Sequence, residues 1–105
     1  MNINHFENYI NKTILDRGYH YYIEGNVVEV YEQGENDYIF HIEGSDDYEV
    51  LVRMEDNGDI LYSKCDCPYD FGPVCKHEVA AYFQLDAMLK QVTTMIIKRL
   101  RPVRE

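Results

Sequence analysis

No run of about eighteen apolar residues occurs in this 105-residue chain, so no membrane-spanning helix is expected. The first residues, Met1-Asn2-Ile3-Asn4-His5, offer neither a positive region nor an apolar stretch, so no secretory leader is expected either. Cysteine is scarce and odd in number, at three. Together these argue for a reducing, cytoplasmic setting and against a disulfide framework. Base is also scarce where acid is dense. Between Glu24 and Asp59 twelve carboxylates face one base, Arg53, within a net charge of −9 from 19 acidic and 10 basic residues. A surface of that sign is a poor general ligand for phosphate backbones.

What is present suits one small domain over residues 1–105, with 46% hydrophobic residues available for a core. A core of this size is marginal, and a metal clip would help it. Residues 5–17 space Phe6, Ile10 and Ile14 four apart, which predicts an amphipathic helix capped by Asn2 or Asn4 and interrupted at Gly18. Residues 19–24 predict a short second helical piece that ends at Gly25. Four strand signals follow at 27–33, 37–43, 48–55 and 60–66. In the second and third, apolar residues alternate: Tyr38, Phe40, Ile42 and then Tyr48, Val50, Val52, Met54. Asn57-Gly58 between the last two is a strong hairpin signal. Residues 68–73 hold two prolines and a glycine and read as a loop. From Val74 there is no Gly or Pro until Pro102, which predicts one long helix, or two with a break at Thr93-Thr94. Its apolar stripe is Val79, Ala80, Phe83 and Ala87, continued by Leu85, Met88, Leu89, Val92 and Ile96. The expected fold is α+β: a helical N-terminal segment, an antiparallel meander of three or four strands, and a long C-terminal helix.

All three cysteines fall within eleven residues, as Cys65-Asp66-Cys67 and Cys75-Lys76-His77, with seven residues between the two pairs. Residues i and i+2 of a strand share a face about 6.6 Å apart, so Cys65 and Cys67 present two thiolates together. Cys75 and His77 fall at the start of the long helix, whose positive end favours a thiolate. Three thiolates and an imidazole complete a tetrahedron and leave no open position, the pattern of a structural Zn2+ site. A Cys67–Cys75 disulfide or plain core cysteines would not explain the doubled spacing. A Cys75–His77 nucleophile–base pair rarely forms from such close positions. Iron–sulfur ligation usually wants four cysteines.

The segment CDCPYDFGPVCKHEVAAYFQL resembles the SWIM zinc finger, and the stretch from Arg17-Gly18 through Tyr21-Tyr22 to Gly25 and Val27 is similar to the segment that often precedes it. The specific match covers about residues 60–85, and the looser one reaches back to about 17. The resemblance implies a β-β-α zinc unit, with a finger core at about 58–90 and a helical extension at 91–105. It implies a role in binding protein or DNA. It carries over the four ligands Cys65, Cys67, Cys75 and His77, and no catalytic residue. The family occurs in bacterial Swi/Snf-type ATPases, in transposase-like proteins and in some ubiquitin ligases, and this chain is expected to be the N-terminal piece of a larger protein of the first kind.

Two readings of function stand side by side. In the first, the module is not an enzyme and binds a protein partner or the rest of its own polypeptide, without membrane or small-molecule substrate. In the second it binds DNA directly, with Lys64 and Lys76 beside the zinc and Lys98, Arg99 and Arg101 in the basic tail. Cations also belong at helix C-termini, which gives the tail a structural explanation. Tyr19, Tyr21, Tyr22, Tyr31, Tyr38 and Tyr48 could stack unpaired bases, or pack in the core with their hydroxyls toward water. His5, His20 and His41 are isolated, and a surface or core role is expected for each.

Overall fold

The computed structural model describes residues 1–68, 72 and 74–95, with backbone alone for 91–95. Asn11, rather than Asn2 or Asn4, caps the first helix, α1 (Lys12–Ile23). Its side-chain oxygen accepts from the amides of Thr13 at 2.9 Å and Ile14 at 3.4 Å, filling two of the donors a helix start leaves open. Residues before it form only a 3-10 turn, Phe6–Tyr9, closed off by extended backbone at Ile10. The helix expected over 5–17 is thus split at Ile10-Asn11.

Asn2 has a different task. It bridges Asp59 as a single antiparallel pair, while Ile3 donates to the Gly58 carbonyl and Ile60 to the Met1 carbonyl, each at 2.8 Å. The start of the chain is therefore pinned by one bridge to a distant hairpin and turns at once, through Ile3–His5, into the segment that follows.

Nor does Gly18 interrupt α1, which runs through it to a C-terminal stop at Gly25, where φ is +81°. Gly18 is there because the second helix, α2 (Lys76–Met95), passes directly over it. A β-carbon at Gly18 would overlap the Val79 side chain and sit 2.9 Å from the Lys76 carbonyl oxygen. Helix propensity alone would favour alanine by about 1 kcal/mol. Overlap with packed backbone and a β-branched side chain outweighs that. Gly18→Ala is expected to destabilise the folded protein by about 1–3 kcal/mol in urea unfolding. A neutral or stabilising result would show that the two helices can separate freely.

Four strands form one antiparallel sheet in the order β1-β2-β3-β4: β1 (Val27–Gly34), β2 (Asp37–Glu43), β3 (Asp47–Met54) and β4 (Ile60–Cys65). Alternation sets the faces as the sequence predicts. Tyr38, Phe40, Ile42, Val50, Val52 and Met54 are buried against the helices, together with Ile3 and Phe6. α2 runs unbroken through Thr93-Thr94. Four consecutive residues in its second turn, Val79-Ala80-Ala81-Tyr82, are buried. That stretch is enclosed on every side, with the sheet beneath and α1 beside it, so its apolar surface is not a stripe. Among the described residues, no helix is long and apolar enough to cross a membrane.

Candidate metal centre

Cys65 is the last residue of β4 and pairs with Val50, so its side chain points to the buried face. Cys67 follows in the turn that leaves the strand. Across the loop, Cys75 is buried immediately before α2 and His77 lies in the first helical turn. One ligand atom from each of the four lies within 4.8 Å of all the others. His77 turns Nδ1 to the sulfurs, 3.6 Å from Cys65 Sγ and 3.8 Å from Cys75 Sγ. A tetrahedral ion with bonds of about 2.3 Å to sulfur and 2.0–2.1 Å to nitrogen has N···S edges of about 3.6 Å. The donor set therefore fits such an ion, and none of the three cysteines is in a disulfide.

Cys75 also starts the helix. The amide of Glu78 donates to Cys75 Sγ at 3.5 Å, and Glu78 Oε1 accepts from the Cys75 amide at 2.9 Å. These reciprocal bonds are a capping box with cysteine in place of serine or threonine. The Cys75 carbonyl accepts from Val79, the first bond of the helix ladder. The other Glu78 oxygen accepts from the Ser63 hydroxyl of β4 at 2.6 Å, and Ser63 in turn pairs with Tyr82 Oη at 2.5 Å. Glu78 is itself buried, so this carboxylate ties ligand, strand and helix together.

In the metal-free protein the Cys75 thiol is pushed well above its ordinary range, first by the neighbouring Cys65 sulfur and then by burial. A cation that takes the thiolate must therefore displace a proton there. His77 is 5% exposed, and its Nε2 has no hydrogen-bond partner. Ligation through Nδ1 needs the proton on that Nε2. Ring packing takes the place of the usual carboxylate or carbonyl in orienting the imidazole. Tyr48 of β3 lies 4.3 Å from it between centroids, and Tyr21 of α1 lies 5.3 Å away nearly edge-on.

The sequence placed all four candidate ligands. Tyr21 and Tyr48 appeared there only as core or stacking candidates, and Glu78, Ser63 and Tyr82 were not singled out. For Glu78 a signal exists: Cys75-x-x-Glu78 has capping-box spacing. Lys64 and Lys76 do not converge. Lys64 is opposite Leu51 on the face of the sheet turned away from the helices. Lys76 is on α2, its ammonium 5.1 Å over the Tyr21 ring. Lys98, Arg99 and Arg101 lie outside the described residues. Compared with protein-family models, with curated proteins and with solved structures, the chain matches none.

Proposed function

We propose that Cys65, Cys67, Cys75 and His77 hold one structural zinc ion in a SWIM-type module. The module serves to bind a protein partner or to seat on the rest of its own polypeptide, within a Swi/Snf-type ATPase. The observation that carries the metal reading is the gathering of three sulfurs and one imidazole nitrogen from a strand end and a helix start. Four protein donors saturate a tetrahedral ion, so the ion would supply structure and would not activate water. β3, β4 and α2 give the β-β-α order that the SWIM resemblance implies. The protein-binding reading is favoured over DNA by charge and by placement. The chain carries −9, and its two site-adjacent lysines sit on opposite sides of the sheet.

The test combines native mass spectrometry with a duplex-DNA titration of the reduced full chain. One zinc per chain is expected, with no DNA binding even at low ionic strength. Steeply salt-dependent DNA binding, abolished by Lys64→Glu with Lys76→Glu, would replace the protein-binding reading with the DNA one.

A further inference from the structure

α2 packs on one face of the sheet with α1 against it, and no described element covers the other face. The strand register sorts that open face into rows. One row reads Tyr31, Ile39, Leu51, Lys64 across β1, β2, β3 and β4. Its first three side chains are apolar or aromatic; Tyr31 is 43% exposed, and Ile39 and Leu51 are half-buried. A solvated sheet face is ordinarily polar at each outward position. This row breaks that pattern on three adjacent strands.

The rows on either side are polar and largely satisfied within the molecule. His41 sits between Glu29 Oε1 at 3.0 Å and Glu49 Oε2 at 2.8 Å, and Tyr31 Oη donates to Glu29. The hydrogen bond to Glu49 is the main influence raising the His41 pKa, so this row favours the imidazolium. On the other side Arg53 holds Asp37 through two hydrogen bonds, at 3.0 and 3.2 Å. A shallow hollow beside the apolar row is lined by Gln33, Ile39, Glu49, Leu51, Lys64 and Asp66.

Charge decides what this face can accept. Its outward positions carry Glu29, Asp37, Glu43, Asp47, Glu49 and Asp66 against Lys64, Arg53 and the His41 imidazolium, and Arg53 is already held by Asp37. A second copy docking face to face would oppose Glu29 and Glu49 with their own counterparts. Nucleic acid is repelled for the same reason. Complementarity calls for cations that flank apolar side chains.

We propose that this open face seats a basic amphipathic segment of a partner protein, with its apolar side chains on Tyr31, Ile39 and Leu51 and its Lys or Arg groups toward Glu29, Glu49 and Asp66. The proposal rests on the protein-binding reading above. An extended segment would place every second side chain on the row, and a helical one every third or fourth.

The probe is a peptide alternating Lys with Leu and Val, beside a counterpart with Glu in place of Lys. Each is titrated into the zinc-loaded full chain and followed by amide and methyl NMR. Expected are shifts centred on Tyr31, Ile39 and Leu51 with the Lys peptide, none with the Glu peptide, and affinity lower by about tenfold or more in Leu51→Glu. Tyr31→Lys, on an edge strand, repeats the test should Leu51→Glu fail to bind zinc or fold, and the same loss is expected there. The proposal is overturned by no shifts, by shifts centred elsewhere, or by salt-sensitive binding that both variants retain. It is also overturned by dilution-dependent shifts of this row in the free protein, which would make the occupant a second copy. Shifts of this row on charge reversal at Lys98, Arg99 and Arg101 would make it the chain's own tail and overturn the proposal likewise. Lys-peptide shifts centred elsewhere remove this face and leave the protein-binding reading intact; the DNA titration alone decides that reading.

Discussion

Chelating the metal under reducing conditions should strip amide-exchange protection from residues between Cys65 and Phe83, and restoring zinc should return it. Binding of a structural zinc contributes on the order of 10–16 kcal/mol in small modules. Whole domains are stable by only about 5–15 kcal/mol. Three features put that dependence at the start of α2. Cys75 is at once candidate ligand and helix cap. His77 is buried with Nδ1 turned to the sulfurs of Cys65 and Cys75, so its place in the first turn is tied to whatever they hold. Val79, Ala80, Ala81 and Tyr82, which cover the sheet, follow directly in the chain. Freeing this turn would expose Phe40, Val50 and Val52, so the loss should spread into β2 and β3. Cys75→Ser separates the two roles of the residue. Serine is a good helix cap but a poor zinc ligand. The variant should therefore resemble the chelated protein. Protection that survives chelator, or a Cys75→Ser protein with native zinc affinity, would refute a structural role for the ion.

Glu78→Ala should cost about 2–4 kcal/mol in urea unfolding of the zinc-loaded protein. It should also weaken zinc about 10–100-fold in competition with a chromophoric chelator, the range seen when groups that orient metal ligands are removed. The carboxylate accepts from the Cys75 amide and from Ser63, and both are left with a buried donor to satisfy. Ser63 and Tyr82 share one hydrogen bond, so without the carboxylate one of their two hydroxyl protons has no acceptor there, nor has the Cys75 amide. Glu78→Gln keeps one carbonyl oxygen for that amide and can donate to Ser63. It should recover most of the stability and of the zinc affinity. An alanine variant within about 0.5 kcal/mol of the parent, the usual span for a surface change, would mean that the capping box is dispensable.

The strands and the Cys65, Cys67, Cys75 and His77 cluster were legible because their signals are local. Alternation at Tyr38, Phe40 and Ile42 assigns a face without knowledge of what covers it. Asn57-Gly58 marks its hairpin by backbone preference alone, and Gly58 does take φ +93°. Most of the misread features depend on partners far along the chain. Gly18 looked like a helix break because its reason for being glycine, Val79, lies in α2. Asn2 and Asn4 looked like caps because the Gly58–Ile60 segment that Met1–Ile3 meets is more than fifty residues away. At Ile10-Asn11 the apolar spacing of four ran through the real boundary, and capping by Asn11 outweighed it. Tyr21 and Tyr48 were ambiguous as aromatic residues, and only the meeting of α1, β3 and α2 makes them walls for His77.

All four candidate ligands lie within thirteen residues, 65–77, whereas the Asn2–Asp59 bridge spans far more of the chain. Loop-closure entropy grows with the logarithm of that separation, and long-range pairings form late. The metal loop can therefore close while the rest of the chain is still unfolded, fixing where β4 stops and α2 starts. The N-terminal strap, which closes over a far longer separation, would be expected to pair later. In a cell this would make metal supply a matter of timing as well as strength: a chain made while zinc is scarce would collapse around an unset joint between sheet and helix.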